Sequence, residues 1–206
     1  MKRRLIVFPM NGNGLEALDC LGDDFELVGF VDDVPGKRGR HGSLEVFSRD
    51  LLEKAPDALV LAVPGSADSY GSRRAAIESL GIPRERFAQV VHPRACVSDR
   101  RRLGANVLLM AGVVVTSNAR IGNHVCVLPN SVVHHDAVVG DFTIVGSNAT
   151  VAGGVQIGEG CYVGSAASIL SGVRVGDGAL IGLGSTVIRD VAAGTKVAGS
   201  PAREIP

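Results

Sequence analysis

Residues 121–145 read IGNHVCVLPNSVVHHDAVVGDFTIV, and in this stretch every sixth residue is aliphatic: Ile121, Val127, Val133, Val139, Val145. The column extends both ways without a slip, from Val97, Leu103, Leu109 and Val115 to Val151, Ile157, Val163, Ile169, Val175, Ile181 and Val187. A second column stands four residues after the first. From Val125 to Val191 it holds only small or β-branched residues, among them Ser131, Ala137, Thr143, Ala149, Cys161 and Ala167. Gly often follows the aliphatic directly, as at Gly122, Gly140, Gly146, Gly158, Gly164, Gly176 and Gly182. A helix turns about 100° per residue, so residues six apart share no face. A flat strand would also need apolar residues two apart. A coil of short strands and tight turns meets both conditions, with one aliphatic pointing inward at each step and a Gly expected to relieve the backbone at each corner.

Composition agrees. The chain has 206 residues, 27 of them Gly, with 4% aromatic residues and no Trp, so its core is built from many small layers. Basic and acidic side chains balance at 21 each. That excludes a protein that relies on polyanion attraction, and no nucleic-acid partner is expected. No apolar run reaches the roughly 20 residues of a membrane span, and none resembles a secretory leader. No membrane partner and a cytoplasmic location are therefore expected. Four scattered cysteines without CxxC spacing are expected to be free thiols, with no metal site.

The first ninety residues follow another rule. Leu5–Phe8, Phe25–Val31, Asp57–Val63 and Phe87–Val91 read as strands. Leu15–Leu21, Leu44–Leu52 and Arg73–Leu80 read as helices. Such alternation predicts a small parallel, Rossmann-like α/β sheet over residues 1–92, ahead of the coil at 93–206. Ligands of such sheets sit beyond the carboxyl ends of the strands. Here those ends carry Asn11–Gly14, Asp32-Asp33 and Pro64-Gly65.

The coil pattern resembles the left-handed parallel β-helix of hexapeptide repeats, in which 18 residues complete a triangular turn. An α/β domain preceding it, the segment Asn130-Ser131-Val132-Val133-His134-His135-Asp136, the Asp32-Asp33 step, Val91-His92-Pro93 and the closing Val197–Arg203 together resemble one family. This is the sialic acid O-acetyltransferase-like group of hexapeptide-repeat sugar acetyltransferases, including bacterial nucleotide-amino-sugar N-acetyltransferases. The resemblance implies transfer of acetyl from acetyl-CoA to the amino group of a nucleotide-activated amino sugar, for bacterial surface glycan biosynthesis. It implies His135 as the catalytic base and Asp136 as its acidic partner. Ile144, Gly153, Ser165 and Leu183 are implied as acetyl-CoA contacts, and Asn11, Asn13, Asp32 and Asp33 as nucleotide-sugar contacts. A homotrimer with sites between subunits is implied as well. The chain departs from the family at Pro9–Asn13, where a Gly-Ala-Gly-Gly-His-like loop is usual, and at Val63-Pro64-Gly65, where Ile-Gly-Asn is usual. At Ile144 the family can carry His.

The repeat itself singles out His135. Val133 points inward, His134 takes the Gly slot and His135 the next outward one, where the fold makes no demand for an imidazole. One coil on stands Gly153, which leaves room for a ligand and a free N–H. A His with an adjacent carboxylate suits proton removal from an attacking amine or hydroxyl. Two enzymatic alternatives use the same scaffold: O-acetylation of a sialic acid or related sugar, and a zinc-dependent hydratase with His124, His134 and His135 as ligands. A non-catalytic assembly or binding protein is the third.

Overall fold

The computed structural model describes residues 2–206. The first domain is a five-stranded sheet in the order β3-β4-β2-β1-β5, built from β1 (Arg3–Phe8), β2 (Phe25–Val31), β3 (Gly39–His41), β4 (Leu44–Phe47) and β5 (Leu59–Ala62). All neighbours are parallel except the β3–β4 edge hairpin. Short helices α1 (Gly12–Glu16), α2 (Asp50–Lys54) and α3 (Arg73–Glu78) make the crossovers. Leu44–Phe47 is a strand and not the start of a helix. It pairs with β2 on one side and with β3 on the other, and only from Asp50 does the chain turn helical. The helix expected from Leu15 starts earlier, at Gly12, because the Asn11 carboxamide caps it by accepting from the N–H of Gly14 at 2.8 Å.

Strand β6 (Gln89–Val91) leaves this sheet and pairs with Val107–Leu109 of the coil. From there the chain is the left-handed β-helix read from the repeat. The first face of the prism stacks Val107–Leu109, Cys126–Val127, Ile144–Val145, Tyr162–Val163 and Leu180–Ile181. The second stacks Val114–Val115, Val132–Val133, Thr150–Val151, Ser168–Ile169 and Thr186–Val187. Arg120–Ile121, Val138–Val139, Gln156–Ile157 and Arg174–Val175 form the third. Partners lie 18 residues apart throughout, as at Val133↔Val151. The aliphatic column is buried from Leu103 onward, and so is the small-residue column from Val125 to Val191. Each buried aliphatic contributes roughly 1.5–3 kcal/mol. The polar members of the small column are satisfied: Ser131 Oγ donates to the Gly146 carbonyl at 2.6 Å and accepts from the Ala149 N–H.

The glycines after the aliphatics do a different job from the one expected. The left-handed corners fall two residues further on, at Asn106, Asn118, His124, Asn130, Asp136, Phe142, Asn148 and Ala166, with φ of 56–63°, and in the same register at Gly112, Gly154, Gly160, Gly172, Gly178 and Gly184. Gly140, Gly146 and Gly164 instead lie against the backbone of the next coil, where a Cβ would stand 2.5 Å from a neighbouring backbone atom. They permit close stacking, not the turn.

The α/β domain packs on the first face and on the adjoining corner. Buried Asn106 pairs with β5 like a strand residue: its Oδ1 accepts from the Ala62 N–H at 2.7 Å and its Nδ2 donates to the Ala62 carbonyl at 2.8 Å. Fully buried Arg73 donates to the carbonyls of Pro64 and His124. Burial without a carboxylate partner lowers its pKa to about 10.

Candidate active site

His135 and Asp136 occupy the corner between the second and third faces, directly after the Val132–Val133 strand. Asp136 sits there with φ 60°, which Asp tolerates better than most residues. This conformation turns its carboxylate back on the preceding ring, so His135 Nδ1 lies 2.9 Å from Asp136 Oδ2. The other oxygen, Oδ1, accepts from Asn118 Nδ2 at 3.1 Å. The Asp136 carboxyl is held below its ordinary pKa, first by the hydrogen bond to His135 and then by that to Asn118. Both side chains of the pair are more than half exposed in the single chain.

With Nδ1 engaged, the free ring nitrogen is Nε2, and it lies over Gly153. A Cβ at residue 153 would come within 2.5 Å of Nε2. Among the described residues the N–H of Gly153 has no hydrogen-bond acceptor, whereas the neighbouring Gly154 N–H bonds the His135 carbonyl at 2.9 Å. The corner thus presents an unengaged imidazole nitrogen and an open N–H side by side. Asn118 is the residue the sequence reading missed. Its signal was the 18-residue coil period, which places it one coil before Asp136.

Asn11 and Asn13 lie elsewhere. They line a cleft of about 270 Å³ against the first face, together with Gly65, Leu128, Ile144 and Tyr162. Asn11 Nδ2 donates to the Val63 carbonyl and Asn13 Nδ2 to that of Gly65, so the loops after β1 and β5 close on each other. Ile144, expected near acetyl-CoA, is buried and shares this cleft with the two asparagines. Ser165 and Leu183 stand one coil apart at the corner between the first and second faces, and Leu183 is exposed. Gly153 stands apart from them, at the His135 corner.

Asp32 is buried, and its oxygens are taken up within the domain. Oδ1 accepts from the Val34 N–H, and Oδ2 from the Met10 N–H and from Lys37 Nζ at 3.0 Å. Asp33 faces outward in a two-pronged pair with Arg49, both contacts at 2.7 Å. That pairing, more than any other influence, lowers the Asp33 pKa.

His124 is at a different corner from His134 and His135. It is stacked on Phe142 at 4.6 Å and edge-on to Phe87 at 4.9 Å. Burial, reinforced by nearby Arg73, depresses its pKa to about 4. The three histidines of the hydratase reading therefore do not converge within a chain. Among the described residues no group of three or more His, Cys, Asp or Glu side chains is placed to hold a metal. No helix of the described residues is long and apolar enough to cross a membrane.

Fold and repeat define a hexapeptide-repeat protein with a leading α/β domain. The bacterial transferase hexapeptide (six repeats) family matches at residues 102–135, 118–153 and 136–170. The acetyltransferase domain of PglB from Neisseria gonorrhoeae, solved with acetyl coenzyme A, superposes with a TM-score of 0.85 at 25% identity, over 100% of both chains. PerB from Caulobacter crescentus, solved with CoA and GDP-perosamine, gives 0.83 at 25% identity, over 100% of this chain and 98% of its own. WeeI from Acinetobacter baumannii gives 0.82 at 25% identity, over 100% of both. No curated protein matches by sequence. The two-domain architecture is thus that of hexapeptide-repeat sugar acetyltransferases, in line with the resemblance read from the sequence.

Proposed function

We propose that this chain is an acetyl-CoA-dependent acetyltransferase that acetylates the amino group of a nucleotide-linked amino sugar, for bacterial surface glycan biosynthesis, with His135 as general base. The observation that carries the reading is the His135 ring, tied at Nδ1 to Asp136 and set at Nε2 over side-chain-free Gly153. The relatives solved with acetyl-CoA, and with CoA and GDP-perosamine, support the substrate classes.

In the proposed reaction the acceptor amine attacks the thioester carbonyl carbon, and Nε2 takes the proton it sheds. The N–H of Gly153 donates to the oxyanion that forms. The carbon–sulfur bond then breaks, the sulfur takes the proton from the imidazolium, and CoA leaves as the free thiol. Asp136 keeps the proton on Nδ1 and stabilises the charged ring, as the carboxylate of a hydrolase triad does. Base catalysis of this kind contributes about 10²–10⁴-fold.

The acceptor's nucleotide belongs in the cleft at Asn11 and Asn13, with Asp32 and Asp33 shaping the loops around it. Acetyl-CoA belongs between copies, with Ser165 and Leu183 of one chain and Gly153 of the next along it, while buried Ile144 backs the nucleotide cleft. That cleft lies on the first face, while His135 is on the opposite edge of the prism. A complete site therefore needs the cleft of one copy beside the His135 edge of another, which a homotrimer supplies. The cytoplasm holds both substrates and suits four free cysteines.

The test is a panel of UDP-, GDP-, dTDP- and CMP-linked amino sugars with acetyl-CoA, following free thiol release, for the wild type and His135→Ala. Turnover of one amino-sugar nucleotide, lost in His135→Ala while the variant stays folded, is expected. Most of the rate surviving in His135→Ala removes the base. Turnover only with a free sialic acid hydroxyl replaces N- by O-acetylation.

A further inference from the structure

We propose that Asn118 is a positioning residue: its amide locks the Asp136 carboxylate in the orientation that holds the His135 ring in a single tautomer. This rests on the reading of His135 as the base. Asn118 stands one coil before Asp136 at the same corner, and both have φ 60°. The carboxylate is gripped from two sides. Oδ1 accepts from Asn118 Nδ2 at 3.1 Å and Oδ2 meets His135 Nδ1 at 2.9 Å. Without the first contact an exposed Asp side chain has freedom to rotate about its terminal torsion and leave the imidazole.

The amide has only one orientation available. Behind Asn118 lies Arg102, with Nη2 3.4 Å from Asn118 Oδ1 and Nη1 3.5 Å from the Asn118 carbonyl. A guanidinium donates and never accepts. The amide oxygen must therefore face Arg102, which leaves the NH₂ group facing Asp136. Arg102 is itself anchored on Asp99, with Nε 3.7 Å from Oδ2. A directed line of polar contacts thus runs along the corner from Asp99 through Arg102, Asn118 and Asp136 to the ring. It stops there, because the next corner positions are Gly154 and Gly172. The charged or titratable groups facing Asp136 are His135 and Arg102.

A left-handed corner alone does not account for these contacts. Asn130 and Asn148 adopt the same conformation at another corner, and among the described residues their carboxamides make no hydrogen bond to a carboxylate.

The test separates backbone from amide. Asn118→Gly keeps the corner, since Gly takes positive φ freely, and deletes only the side chain. Asn118→Asp puts a second carboxylate against Asp136. Folding is checked by thermal melts, and the His135 tautomer is read by NMR of ¹⁵N-histidine-labelled protein near pH 8, with His135→Ala assigning the signal. The wild type is expected as almost entirely the Nδ1–H form. Asn118→Gly is expected to fall to a mixture of roughly equal tautomers, and Asn118→Asp further, without loss of fold. A wild-type tautomer signature in folded Asn118→Gly overturns the proposal. The readout needs no acceptor, so its failure is distinct from failure of the base assignment, which the turnover of His135→Ala decides.

Discussion

The imidazole of His135 rests on the backbone of Gly153, one coil on, with Nε2 and Cε1 standing 2.5 and 2.6 Å from where a Cβ would be. Gly153 has no positive φ, so its backbone accepts an ordinary residue. The glycine is required there by the ring and not by the turn. Gly153→Ala should therefore fold with an unchanged coil while displacing the ring from its place over the open N–H. A loss of about 100-fold in kcat is expected, since small misplacements of a reacting group cost that much. The thermal midpoint should stay within about 3 °C, because the displaced atoms belong to an exposed side chain. Steady-state kinetics beside a melting curve checks both halves.

Asp136 differs from the buried carboxylate of hydrolase triads in being exposed on a corner. Its role in the proposed reaction is to choose the tautomer. Asp136→Asn retains the corner conformation but offers an amide to Nδ1. A fall in kcat of roughly 10- to 100-fold is expected, less than the 10⁴-fold known for a buried triad Asp. The KM for acetyl-CoA should hold. A fall in affinity with kcat intact would instead make Asp136 a binding residue.

The domain interface predicts a dependence of stability on pH. Folded His124 titrates at about 4, well below an unfolded histidine near 6.5. Between those values the unfolded chain binds a proton that the folded chain refuses, so stability rises with pH. The contribution is complete above about pH 6.5 and is lost as pH falls toward 4. Its size is roughly 2 kcal/mol after discounting the partial exposure of the ring. Urea unfolding at fixed protein concentration should show this slope in the wild type and a flatter one in His124→Phe. An identical slope in both would refute the assignment.

Asn106 joins the domains through one residue. Asn106→Ala strips the partners from both polar groups of buried Ala62 and places a Cβ without a polar tip at φ 56°. A loss of about 3 kcal/mol is expected, because each orphaned buried group costs about 1–3 kcal/mol. Denaturant midpoints at constant m-value check it.

The period-six columns made the coil legible because each rung meets its neighbour through residues a fixed 18 apart, so a local count stood in for tertiary contact. The outward corner position of His135 was legible for the same reason, as an imidazole in a slot that needs none. The misreadings came where no period exists. Leu44–Phe47 is held as a strand by partners on two sides, which its own four residues do not announce. The stacking role of Gly140 and Gly164 depends on the distance between coils, and that follows only from the folded coil. That Asp32 is buried beneath the Met10 N–H and Lys37 was equally invisible in its own residues, since an acid after a strand reads the same whether it faces a ligand or its own loop.

The placement of the proposed acceptor cleft on the first face and of His135 on the opposite edge makes a prediction about mixed assemblies. Take one variant lacking the base, His135→Ala, and another with a disabled cleft, Asn11→Ala with Asn13→Ala. Each alone should be inactive. If every site draws its base from one copy and its cleft from the next, co-expression in equal amounts restores activity. A site is then intact when the base comes from the cleft-dead chain and the cleft from the base-dead chain. In randomly assembled rings that occurs with a frequency of about one in four, so about a quarter of wild-type activity is expected. If both parts came from a single chain, no mixture would contain an intact site and activity would stay at background. Mixing the variants after purification without subunit exchange should restore nothing, which separates shared sites from contamination.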